Sequence, residues 1–263
     1  MKLDGASVVL TGAAGGIGAP TARALAAAGA RLLLVGRDAA RLETLARELG
    51  GEADGRRVAW LAADLTSADG IDSVRRAALA READVLINNA GIASFGRLDA
   101  LDAPHLAEVL ATNLLAPMQL TRALLPGLRR RREAAVLNVG SVLGRLGLPG
   151  FAVYSAAKFG LRGFSEALRR ELAGSTVKVQ YLGPRVTATG FNSAEVEAYH
   201  RATRTGSDRP EAVAAALVAL LGSGRAERFL GFPETLAVRL NGAAPAALDA
   251  AFARHRQALP LPC

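Results

Sequence analysis

Ser7-Val8-Val9-Leu10-Thr11-Gly12-Ala13-Ala14-Gly15-Gly16-Ile17-Gly18 is the stretch that decides the fold. Its opening residues form an apolar, β-rich run, and the residues after it are alanine-rich with helical spacing. A strand therefore passes through a glycine turn into a helix. The glycines suit a sharp reversal, and they also let backbone approach a pyrophosphate resting on a helix N-terminus. A tight structural turn would look the same in isolation. The strand before it and the helix after it favour the phosphate-binding reading.

Outward from this turn the pattern repeats. Further strands are predicted at 31–35, 57–61, 84–89, 134–139, 177–182 and 228–232, with helices at 17–28, 38–49, 67–81, about 103–125, about 153–173 and 209–221. Such alternation predicts an α/β fold: a Rossmann-like, doubly wound parallel sheet in a single domain, with helices on both faces. Chemistry is then expected in the loops after strands one, two, four and five. No composition break, fixed-period repeat or low-complexity linker divides the 263 residues.

Composition excludes several function classes. Half the chain is hydrophobic and 21% is charged, the balance of an ordinary globular protein. No apolar run approaches the roughly 18 residues of a membrane span, and no basic, apolar leader opens the chain, so the expected location is the cytoplasm. The sole cysteine, Cys263, rules out an internal disulfide. His105, His200 and His255 show no ligand spacing, so no metal site is expected. The net charge of +8 is densest at Arg129 to Arg132, but no aromatic residues interleave with that run. It reads as a solvated loop and not as a nucleic-acid site.

At the end of the second strand stand Gly36, Arg37 and Asp38. A carboxylate at the strand end would bond an adenosine ribose and repel a 2′-phosphate, whereas Arg37 can hold that phosphate through its planar donors. Asp38 fits better as the N-cap of the next helix. NADP(H) is therefore expected, with NAD(H) the alternative.

Farther on come Asn88-Asn89-Ala90-Gly91 and Tyr154-Ser155-Ala156-Ala157-Lys158. With the glycine loop, Asp64-Leu65, Asn113 and Ser141, they stand in the order and spacing of the short-chain dehydrogenase/reductase family, which the chain resembles over roughly residues 5 to 230. The resemblance implies a catalytic set of Asn113, Ser141, Tyr154 and Lys158. It also implies a cofactor bed of Gly12, Ala14, Gly16, Ile17 and Gly18, continued by Asp64, Leu65, Asn89, Ala90 and Gly91, with Tyr154 and Lys158 reaching the cofactor as well.

Chemistry assigns the roles in parallel. A free tyrosine titrates near 10 and needs a nearby cation to act as a base; Lys158, four residues on, shares its helix face. Ser141 follows the fifth strand, where its hydroxyl can hold a substrate oxygen. It is not a hydrolase nucleophile, for no histidine lies near it. For Asn113 the resemblance implies a backbone carbonyl that holds a relay water. In the reducing direction hydride reaches a carbonyl carbon while Tyr154 protonates the oxygen.

After the sixth strand the sequence departs from the family pattern. Arg185 follows Pro184 where the family has glycine, while Thr189 stands where its threonine is expected. Pro184, Val186 and Thr189 are expected against the cofactor. Arg185 reads either as a substrate or phosphate contact or as a surface residue. A substrate loop is expected from about Phe191 to Thr205; with Leu143, Leu146, Leu148 and Phe151 it predicts an apolar pocket.

The dinucleotide-binding and catalytic domain is expected over 1–232, leaving 233–263 as an amphipathic extension. There Leu236, Leu240, Ala244, Leu248 and Phe252 recur every four residues, with Arg239, Arg254 and Arg256 among them. Packing on the domain or a partner subunit is one reading, and a membrane surface the other. The expected function is NADP(H)-dependent interconversion of a small-molecule carbonyl and alcohol by a homodimer or homotetramer. The alternatives are an NAD-dependent alcohol or steroid-type dehydrogenase and a non-catalytic NADPH-sensing protein.

Overall fold

The computed structural model describes residues 1–50 and 57–259; Cys263 and the side chain of Leu248 lie outside the described residues. Seven strands form one parallel sheet in the order β3-β2-β1-β4-β5-β6-β7. They are β1 (Ser7–Thr11), β2 (Arg31–Gly36), β3 (Val58–Ala62), β4 (Val85–Asn88), β5 (Ala134–Val139), β6 (Val177–Gly183) and β7 (Glu227–Phe229). The order reverses between β1 and β4. Such a switch point opens a crevice at the carboxyl ends of the strands.

Strand alternation builds the core on two sides. Val8 and Leu10 of β1, with Leu32 and Leu34 of β2, face one cluster; Val9, Leu33 and Val35 face the other. Successive side chains point to opposite faces of a strand, so an unbroken apolar run is buried on both. The first cluster is covered by α1 (Gly18–Ala27), α2 (Ala39–Glu48) and α8 (Pro210–Ser223). The second lies under α3 (Ala68–Ala80), α5 (Ala116–Leu128) and α6 (Ala152–Glu171). The predicted doubly wound sheet is thus the observed one.

Several elements differ from the sequence reading. The single helix expected near 103–125 is α4 (Ala103–Leu110), a π-helical turn at Ala111–Leu115, and α5. The expected substrate loop contains a helix, α7 (Ala194–Thr203), started by the Ser193 hydroxyl accepting from Val196 N–H. The extension folds into α9 (Glu234–Ala243), a 3-10 segment (Pro245–Phe252) and α10 (Ala253–Gln257). Leu236 and Leu240, which share the four-residue period, are each 49% exposed, while Val238 between them is 2% exposed. The inward face is therefore the other one. Of the basic run, Arg131 is not a free loop residue: it binds Asp84 at 2.8 Å and Glu82 at 3.3 Å.

Candidate active site

The glycine loop is locked to the loop after β4 by Thr11 and Asn89. Thr11 Oγ1 donates to the Ile87 carbonyl and accepts from the amides of Asn89 and Ala90 at 2.9 and 3.0 Å. Asn89 Nδ2 returns bonds to the carbonyls of Thr11 and Gly12. Gly12 has φ +63°, and a Cβ there would meet Ala90 Cα at 2.8 Å. Only glycine lets the two loops approach this closely.

Gly12, Ala14, Gly16 and Ile17 line one continuous cavity of about 890 Å³, whereas Gly18 lies behind it, packed against the carbonyl of Gly12. No side chain caps α1 at Ile17, and no acidic residue stands in its first turn. The helix thus presents uncapped amides and the positive end of its dipole, which suits an anionic pyrophosphate. Thr189 packs on Gly16 so closely that a Cβ there would overlap it. This contact closes the loop from the β6 side.

At the β2 end of the cavity Arg37 is exposed along the wall. Asp38 Oδ1 accepts from Arg41 N–H at 3.0 Å and caps α2, as the sequence predicted. A second arginine, missed in the sequence, joins Arg37: Arg41 Nη2 donates to the Ala14 carbonyl at 2.8 Å and also lines the cavity. Asp64 and Leu65 form the adjoining wall. The backbone and hydroxyl of Thr66, with Arg37 nearby, hold the Asp64 carboxyl below its ordinary range.

Toward the other end Asn89, Ala90 and Gly91 border the cavity, facing Ser141, Tyr154, Lys158, Pro184, Val186 and Thr189. Tyr154 and Ser141 face the same cavity, near enough that the serine hydroxyl eases the tyrosine's ionisation. Lys158 Nζ lies 5.5 Å from the Tyr154 ring centroid and donates to the Val139 carbonyl at 3.3 Å. Ser141 Oγ accepts from Leu143 N–H, starting a 3-10 turn. A buried ladder holds α6 to the sheet: Asn88 bonds Thr121 and Asn138, and Asn138 bonds Ser165. Satisfied buried polar groups of this kind fix one arrangement.

Burial raises Tyr154 above its ordinary value, and the neighbouring Ser141 hydroxyl only partly opposes this. Burial also lowers Lys158 from 10.5 to about 8. Desolvation favours the neutral form of each group.

Asn113 is fully buried and outside the cavity lining. Its side chain, where the sequence reading looked to its carbonyl, spans the backbone of Ile92: Oδ1 accepts from the amide at 2.9 Å and Nδ2 donates to the carbonyl at 2.8 Å. It sits in the π-helical turn, a distortion frequent at functional sites, and its Oδ1 crowds the position a Gly91 Cβ would take.

The apolar side of the cavity is lined by Leu143, Leu146, Leu148, Phe151, Phe191 and Val196, and by Phe232, Ala237 and Phe252 from the end of the chain. His200 and His255, set aside in the sequence, both lie in this wall. Burial lowers the pKa of each. No group of three or more metal-ligating side chains occurs among the described residues, and no described helix is long and apolar enough to cross a membrane.

Residues 6–200 match the family model of the short chain dehydrogenases. Nodulation protein G of Rhizobium sp. (strain N33) is 35% identical over 236 residues, covering 88% of this chain and 94% of that one. A short-chain dehydrogenase/reductase from Burkholderia phymatum, solved in complex with NAD, superposes with a TM-score of 0.85 at 25% identity, over 94% of this chain and 96% of that one. A metagenomic short-chain oxidoreductase solved with NADP gives 0.73 at 30% identity, over 88% and 98%. The chain belongs to the short-chain dehydrogenase/reductase family of nicotinamide-dependent oxidoreductases.

Proposed function

We propose that this enzyme interconverts an apolar ketone or aldehyde and its alcohol, uses NADP(H), and employs Tyr154 as acid and base. The observation that carries the reading is that Ser141, Tyr154 and Lys158 line one cavity floored by the glycine loop, with Lys158 Nζ 5.5 Å from the Tyr154 ring centroid. When bound, the nicotinamide supplies or accepts the hydride. Tyr154 gives its hydroxyl proton to the substrate oxygen, and Ser141 Oγ bonds the same oxygen and orients it. Lys158, on the far side of the ring, favours the phenolate that remains. In the oxidative direction Tyr154 takes the alcohol proton.

The choice of NADP(H) rests on Arg37 and Arg41 at the β2 end and on Asp38, whose carboxylate is committed to its own helix. The apolar substrate rests on the leucine and phenylalanine lining. Homo-oligomerisation fits Leu115 and Phe159, 49% and 42% exposed on neighbouring helical segments that also position the catalytic side chains. The single-domain catalytic unit over 1–232, the catalytic role of Asn113 and a cytoplasmic setting belong to the same proposal. NADPH oxidation at 340 nm against a panel of aliphatic and aryl ketones tests it: turnover supports the reductase, and tight NADPH binding with no turnover of any carbonyl points to a sensor.

A further inference from the structure

Arg185, the residue that breaks the family pattern, lines the cavity and holds two carboxylates. Nε and Nη2 lie 3.0 and 2.9 Å from Asp208 Oδ1. Nη1 lies 3.4 Å from Glu234 Oε2 and 3.5 Å from the Phe232 carbonyl. The three side chains are each less than one-fifth exposed. Two glycines make room for the guanidinium. A Cβ on Gly206 would stand 2.6 Å from Nη1, and one on Gly231, at φ +89°, would overlap the Arg185 stem.

The pieces joined here are two walls of the substrate cavity. Asp208 closes the neck of segment 187–208: its amide donates to Val186 O at 2.8 Å, and its carbonyl accepts from Ala188 N–H at 3.0 Å. That segment carries α7, which lends Val196 and His200 to the lining. Glu234 begins α9, which lends Ala237 and leads on to Phe252 and His255. The walls meet again at their far end, where the Tyr199 hydroxyl bonds His255 Nδ1 at 2.7 Å. Between these fastenings Val238 packs with Val196 and Tyr199, and Asn241 Nδ2 donates to the Arg145 carbonyl at 2.7 Å.

We propose that residues 232–257 form a fixed wall of the substrate site, and that Arg185 is the positioning residue that sets its distance from α7, so that the resulting gap selects bulky apolar carbonyl compounds over small ones. The substrate named rests on the reading of the site as a carbonyl reductase; the wall itself does not. Without Arg185, Asp208 and Glu234 would face each other at low exposure with no cation between them, and the two walls would be pushed apart.

The test uses the full chain as wild type, Arg185→Gln, Arg185→Lys and Glu234→Gln. Hydrogen exchange is followed in peptides from 194–203 and 234–257, and KM and kcat are measured with NADPH for 2-butanone and 2-decanone. In Arg185→Gln, exchange is expected to quicken about tenfold in both segments. KM for 2-decanone is expected to rise about fivefold or more, with a smaller change in kcat and little change for 2-butanone. Arg185→Lys, which keeps the cation, recovers most of the loss. Glu234→Gln quickens exchange in 234–257, and it decides the matter if Arg185→Gln does not fold. Unchanged exchange in both segments overturns the proposal, as does an equal kcat loss for both ketones at unchanged KM. If wild type turns over neither ketone, the reductase reading fails, and the exchange result alone judges the wall.

Discussion

The hydroxyl of Tyr181 accepts from the Ser141 amide at 3.1 Å and donates to the Ser141 carbonyl at 3.0 Å. Tyr181 is 1% exposed, and Gly140 and Gly144 leave the space its ring tip fills. Ser141, the residue proposed to orient substrate, is therefore held through its backbone by a strand residue forty positions away. Tyr181→Phe leaves both Ser141 backbone groups short of a partner, at a cost of about 1–3 kcal/mol. Urea unfolding should show that loss, and kcat should fall about tenfold with NADPH affinity retained. Unchanged stability and kcat together would show that Ser141 needs no such support.

Lys158 carries a stability cost with a defined pH window. Its folded-state pKa is lowered to about 8 from 10.5 by burial. Below pH 8 the folded chain holds a buried ammonium that the unfolded chain would solvate, so the cost is fully present. As pH rises from 8 toward 10.5 the folded chain has shed this proton while the unfolded chain still binds it, and the cost fades. The interval corresponds to about 3 kcal/mol. Lys158→Met should therefore raise the Tm of the cofactor-free protein at pH 7 by about 5 °C or more, lose the advantage near pH 10, and lack activity. A lower Tm than wild type at pH 7 would contradict this.

Arg37 tests the choice of cofactor. Loss of a charged hydrogen-bonding partner to a phosphate costs about 1.5–3 kcal/mol, so Arg37→Ala should raise KM for NADPH by roughly tenfold to a hundredfold. KM for NADH should stay within about twofold, since its ribose carries no phosphate. Arg41→Ala should give a smaller change of the same sign. Equal effects on both cofactors would place Arg37 outside the phosphate site.

Local patterns were legible and distant pairings were not. The strand and turn around Gly12 and the cap at Asp38 are each contained in a few consecutive residues and are found as read, and Tyr154 and Lys158, four residues apart on α6, line one cavity. Tyr181 and Ser141, Arg185 and Glu234, and Tyr199 and His255 are 40, 49 and 56 residues apart. Nothing in one sequence links such residues before the sheet order brings them together. In the extension the four-residue period is only partly used: Leu236 and Leu240 stay exposed, while Val238 and Phe252 join one cluster. Asn113 stood out in the sequence, but its side-chain bonds to Ile92 depend on the π-helical turn, which no residue type announces.

The central claim is that Tyr154 carries the proton of a hydride transfer, and Tyr154→Phe tests it most directly. The change removes one hydroxyl from a site otherwise intact, so the account predicts NADPH binding, followed by nicotinamide fluorescence, within about twofold of wild type. Steady-state NADPH oxidation with a ketone accepted by the wild type should fall by about a thousandfold or more. A variant that binds NADPH and turns over at the wild-type rate would contradict the account.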